Sequence, residues 1–90
     1  MSKRINLKIY GRVQGVFFRD SAQKEARKLG LVGFARNDVD GTVYIEVEGE
    51  EEKLNEFIKW CQNGPDHAQV DKVEMQWLKA TETFSDFKIK

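Results

Sequence analysis

The sequence predicts an α+β sandwich in which two helices cover one face of a mainly antiparallel sheet. Three observations point there. Several short segments alternate apolar and polar residues, two longer segments repeat apolar residues every third or fourth position, and the two kinds follow each other in a set order. Alternation sends successive side chains to opposite faces of a sheet, so one face is covered and the other is wet. The order strand-helix-strand-strand-helix-strand, βαββαβ plus a short C-terminal strand, is the ferredoxin-like split βαβ arrangement.

The elements follow in order. Ile5, Leu7 and Ile9 alternate with Asn6, Lys8 and Tyr10, which makes residues 5–10 a half-buried strand. Residues 11–19, Gly-Arg-Val-Gln-Gly-Val-Phe-Phe-Arg, fit neither period and form a loop. Asp20-Ser21 opens a helix, with Gln23 three residues on as a capping-box partner. Ala22, Ala26 and Leu29 supply its buried stripe, and Lys28 followed by Gly30 supplies its stop. Strands over Val32 to Asn37 and Thr42 to Glu48 flank Asp38-Val39-Asp40-Gly41, a hairpin signal, with Val43, Ile45 and Val47 facing inward. Glu50, Glu51 and Glu52 crowd the start of a second helix, where the macrodipole favours acids. Leu54, Phe57, Ile58 and Cys61 line its apolar face, and Asn63-Gly64-Pro65 ends it. In the fourth strand Val73, Met75 and Trp77 alternate with Lys72, Glu74 and Gln76; a short fifth covers Phe87 to Lys90.

Ninety residues, 40% apolar and 33% charged, are one domain (residues 1–90) with a single core under a solvated surface. Fifteen basic and fifteen acidic side chains cancel, which argues against a nucleic-acid partner. No apolar run approaches the ~20 residues of a membrane span, and no apolar leader follows Met1. With one cysteine, an internal disulfide and a CxxC metal site are impossible, and the expected setting is cytoplasmic. The charge is unevenly spread: residues 1–19 carry Lys3, Arg4, Lys8, Arg12 and Arg19 without an acid, whereas residues 46–56 carry six glutamates against Lys53.

Candidate chemistry narrows quickly. His67 stands in a polar loop without neighbouring ligands, and reads as solvated. Cys61 lies on an apolar stripe and lacks the arginine six residues later that a cysteine phosphatase needs, so it reads as core. The Gly11–Arg19 loop remains. Between a strand and a helix start, its two glycines can turn backbone N–H groups inward as an anion nest, with Arg19 offering a guanidinium fork. It is not a Walker A loop, since no Gly-Lys-Ser/Thr follows. On spacing alone it is either such a nest or a tight turn beside a surface charge.

The run Ile9 to Arg19 resembles the phosphate-binding loop of the acylphosphatase family, with its G-x-V-Q-G-V-x-F-R core complete. Gly33-Phe34-Ala35-Arg36-Asn37, then Gly41, Val43 and Gly49, matches the family's second motif, and Gly64-Pro65 and Ser85–Ile89 fit as well. The resemblance covers nearly the whole chain. It implies hydrolysis of acyl phosphates to a carboxylate and inorganic phosphate. It also implies that Arg19 binds the phosphate with the backbone amides of Val13, Gln14, Gly15, Val16, Phe17 and Phe18. Asn37 would orient the attacking water. No cofactor or metal is expected, and the partner is a small-molecule acyl phosphate; neither nucleic acid nor membrane is expected, and the chain should be a monomer.

That division of roles is chemically sensible. Phosphoryl transfer asks mainly for positioning and charge stabilisation, and an acyl phosphate already has a good leaving group. A neutral amide near the phosphate avoids the repulsion a carboxylate would add. Read from residue type alone, Asn37 is also a turn former, and Gln14 is either catalytic or a brace for the loop. Two rivals stand beside the enzyme. One is an RNA-binding module using Leu31–Ala35 with Tyr10 and Tyr44 on the open sheet face. The other is an anion sensor without turnover, or a relative that handles carbamoyl phosphate.

Overall fold

The computed structural model describes residues 2–90. The strands are β1 (Ser2–Arg12), β2 (Val32–Asn37), β3 (Val43–Glu50), β4 (Gln69–Lys79) and β5 (Phe87–Ile89). The helices are α1 (Phe18–Lys28) and α2 (Glu51–Asn63). They form one sheet in the order β4-β1-β3-β2-β5, in which only β2 and β5 run parallel. This is the expected ferredoxin-like α+β fold.

The central inward positions of β1 and β3 are closed to solvent: Ile5, Leu7 and Ile9 with Val43, Ile45 and Val47. Leu54, Phe57, Ile58 and Cys61 of α2 pack on them, together with Ala22 and Ala26 of α1 and Phe87 of β5. Burial of Cys61, with a smaller push from Glu25, raises its thiol pKa well above the ordinary value, so the sulfur is an inert core group.

Four expectations change. The helix after the loop starts at Phe18, two residues early, with left-handed Phe17 as its N-cap and no side-chain cap. Asp20 therefore sits in the first turn, and Gln23 is no capping-box partner; its Nε2 donates to the Phe87 carbonyl at 2.8 Å. The cause is Phe18, which is buried against Trp60 with ring centroids 5.3 Å apart and extends the stripe to Phe18, Ala22, Ala26. Leu29 is only half-buried. Second, Met75 and Trp77 remain 39% and 41% exposed, because β4 is an edge strand and the helices cover the middle of the sheet.

Third, the open face is not uniformly wet. Residues 80–86 fold back across it: Phe84 lies against Phe34 at 6.0 Å, and Phe34 is buried. The Thr81 N–H and hydroxyl and the Glu82 N–H donate to the Glu48 carboxylate at 2.8, 2.8 and 3.0 Å. Fourth, the basic and acidic runs of the sequence are partners. Antiparallel pairing of β1 with β3 sets Arg4 opposite Glu48 and Asn6 opposite Glu46, and Arg4 bridges both glutamates. Lys3 pairs with Glu51 at 2.7 Å and Lys8 with Asp40 at 2.9 Å. Among the described residues, only Arg12 and Arg19 of that basic run lack an acidic partner.

Burial works to raise the Glu48 pKa, but Thr81, Glu82 and Arg4 outweigh it and hold the carboxyl below its ordinary 4.5. A carboxyl depressed on folding stabilises fully above its unfolded value and loses that effect as pH falls through the folded one. Glu48→Gln should therefore cost about 1–3 kcal/mol at pH 7. The melting-temperature gap from wild type should close below pH 4.5. A gap that is constant with pH would remove the charge from the account.

Candidate active site

The loop after β1 is built by two buried ends. The β1–β4 register slips between Tyr10 and Gly11, and Gly11 takes φ 127°. A Cβ there would stand 2.1 Å from the Gln69 carbonyl oxygen, so only glycine fits. Val13 and Phe18 are then both buried. Between them Gly15 at φ 74° and Phe17 at φ 63° are left-handed, which turns the intervening peptide planes. Among the described residues, the backbone N–H groups of Gln14, Gly15, Val16 and Phe17 have no acceptor. For phenylalanine this conformation costs about 1–2 kcal/mol that glycine would not incur.

The loop is tied to the β2–β3 hairpin. Gln14 Nε2 donates to the carbonyls of Asp38 and Thr42 at 2.7 and 2.9 Å, the same two residues joined by the Asp38 N–H···O Thr42 bond. Gln14 is thus the brace of the two roles open to it. The tie sets the loop beside the end of β2, where Asn37 stands.

A cavity of about 230 Å³ results, lined by Val13, Gly15, Phe17, Phe18, Arg19, Asp20 and Asn37. Arg19 and Asn37, eighteen positions apart in sequence, thus share one cleft with the loop. Gln14 and Val16 do not line it; Val16 packs on the core. Arg19 Nη1 donates to the main-chain oxygen of Lys90 at 3.0 Å, and the rest of the guanidinium has no partner among the described residues. The Asn37 side chain is exposed and also carries no bond among them. Three features were missed in sequence: the Lys90 anchor, Asp20 on the lining, and Phe17 as more than an amide. The first depends on parallel β5 pairing, with Lys90 N–H donating to the Ala35 carbonyl, and alternation cannot report strand direction.

The chain matches the acylphosphatase family profile over residues 5–89. It belongs to the acylphosphatase family. It is 48% identical over 86 residues to an acylphosphatase of Thermococcus kodakarensis, covering 96% of this chain and 93% of that protein. It is 47% identical over 85 residues to one of Marinobacter nauticus, covering 94% and 92%. The crystal structure of the Bacillus subtilis acylphosphatase superimposes with a TM-score of 0.94 at 34% identity, over 100% of this chain and 99% of that one.

Removing the brace should loosen both halves of the site. Gln14→Ala removes one of two donors from each carbonyl, Asp38 keeping the Gly41 N–H and Thr42 the Asp38 N–H, and should cost about 1 kcal/mol of stability by thermal melting. Turnover of the still-folded variant should fall as well, because loop and hairpin are no longer held in register. Unchanged stability with unchanged turnover would show that the tie is incidental.

Proposed function

We infer that this acylphosphatase-family protein hydrolyses acyl phosphates, with the cleft as its active site. The observation that carries this is the meeting of Arg19 and Asn37, each from a different family motif, beside a loop of unpaired amides. The amides and the Arg19 fork bind the phosphate oxygens and spread the charge that develops on them. The main-chain oxygen of Lys90 holds one end of the guanidinium, so the fork is aimed before substrate arrives. Asn37 holds a water on the face opposite the acyl oxygen. The water oxygen bonds to phosphorus as the phosphorus–acyl oxygen bond breaks, the carboxylate leaves with the bonding pair, and a phosphate oxygen takes the proton. A carboxylate leaving group requires no protonation.

The enzyme is then a single domain (residues 1–90) that works as a cytoplasmic monomer without cofactor or metal. Among the described residues no three His, Cys, Asp or Glu side chains are grouped to hold an ion. The site is built from one chain, and the β4 edge carries Asp71, Lys72, Glu74 and Lys79, charges that discourage edge-to-edge pairing. The RNA-binding rival loses support on the open face. Tyr10 donates to Glu74 beneath Lys72, Tyr44 donates to Glu46 beneath Arg36, and Phe34 is covered by Phe84. The direct test is phosphate release from benzoyl phosphate, in EDTA and in magnesium. Equal rates support the assignment; absence of release, or a tenfold loss that metal restores, would sink it.

Arg19 and Asn37 should give opposite kinetic signatures. Arg19→Gln should weaken phosphate inhibition and substrate binding by about 2–5 kcal/mol, and Arg19→Lys should rescue poorly because it offers a point charge. Asn37→Ala should lower kcat and kcat/KM together by about 100-fold while leaving KM and phosphate inhibition nearly intact. Asn37→Asp should do no better, since its charge repels the substrate. Near-normal kcat in folded Asn37→Ala would end the water-orienting role.

A further inference from the structure

We propose that the Phe17 side chain is a platform for the acyl part of the substrate, selecting acyl phosphates with aromatic acyl groups over acetyl phosphate. This rests on the cleft being the acyl phosphate site inferred above. Phe17 is 72% exposed and lines the cleft, and no ring or cation contacts it among the described residues. One exposed apolar side chain is ordinary. An exposed phenylalanine in the left-handed region is not, because glycine would take φ 63°, ψ 26° freely and the fold gains no burial from the ring. Strain that the core does not require marks a functional position.

Size gives the ring its task. At about 230 Å³ the cavity is smaller than the ~300–1,000 Å³ of sites that enclose drug-sized ligands. It has room for the phosphate and the first acyl atoms, so a larger acyl group must lie across the rim. Arg19, the loop amides and Asn37 are engaged with the phosphate and the water. Phe17 is the large apolar surface on the lining that remains open. A ring laid there is desolvated on one face by an aromatic partner, whereas a methyl group reaches little of it.

The test compares kcat/KM for benzoyl phosphate with that for acetyl phosphate in wild type, Phe17→Gly and Phe17→Trp. Taking the ratio cancels losses common to both substrates, including any that arise from the amide of residue 17. The ratio should fall about threefold to tenfold in Phe17→Gly, the range of an aromatic contact, and be kept in Phe17→Trp. Phe17→Gly relieves the left-handed strain, so it should melt higher than wild type and cannot fail for want of folding. Calorimetry with phenylphosphonate and methylphosphonate gives a readout free of turnover: wild type should prefer the phenyl compound, and Phe17→Gly should lose that preference. An unchanged ratio in folded Phe17→Gly, or a preference that survives the substitution, overturns the platform and leaves the hydrolase assignment intact. A wild type that turns over neither substrate overturns the hydrolase assignment, and the phosphonate pair still decides the platform.

Discussion

Val13 and Phe18 are both buried, and the chain between them has to leave the core and return within four residues. That span is neither a helical turn nor a strand. It closes with two left-handed residues, Gly15 and Phe17, and those rotate consecutive N–H groups away from any backbone acceptor among the described residues. The proposed anion site thus follows the packing of two apolar side chains, Val13 in the core and Phe18 against Trp60. Its unpaired donors are held in place before any ligand arrives. That is the condition under which electrostatic stabilisation costs no reorganisation.

The hairpin depends on the same anchoring. Two hydrogen bonds from Gln14 reach the main chain at Asp38 and Thr42, so the loop and the end of β2 move as one piece. Arg19 is fixed from the other side by the main-chain oxygen of Lys90, which β5 carries to the edge of β2. Three separate segments of sequence thus converge on a small cleft, the loop donating through Gln14 and Arg19 to main-chain oxygens of Asp38, Thr42 and Lys90. The Asp38 and Thr42 carbonyls suit this task because they orient the Gln14 amide without adding a full negative charge beside the cleft.

Much of this was legible in the chain. Alternation placed β2 over Val32 to Asn37 as the structure does, and the stripe Leu54, Phe57, Ile58, Cys61 faces the core as periodicity requires. Periodicity failed at the start of α1 and on β4, for one physical reason: both are decided by neighbours in space. Phe18 is helical because Trp60 is there to receive it, and Trp77 is exposed because its strand lies at an edge. The uneven charge was visible but not its purpose, since pairing of residues 2–12 with 43–50 depends on sheet topology. The site's residues were legible through two motifs and their order; spacing alone left the loop and Asn37 open. Phe17 escaped notice because a motif treats its position as variable, and only the backbone angle shows how poorly phenylalanine suits it.

The hairpin poses an electrostatic problem that the fold answers. Asn37 is delivered to the proposed phosphate site by a tip that also carries Asp38 and Asp40, and two carboxylates there would repel a dianion held by Arg19. Each is matched. Arg36 Nε donates to Asp38 at 2.9 Å, and Lys8 reaches Asp40 from the open face of β1, also at 2.9 Å. The Thr42 hydroxyl and N–H donate to Asp40, and with Lys8 they hold its carboxyl well below the ordinary carboxylate range. Asp40 is thus held in its ionised form, with Lys8 as its counter-charge. The acids shape the turn that positions Asn37, while their field is cancelled locally by cations on β1 and β2. Arg12 and Arg19, which keep no acidic partner among the described residues, flank the loop and set the sign of the potential an incoming phosphate meets.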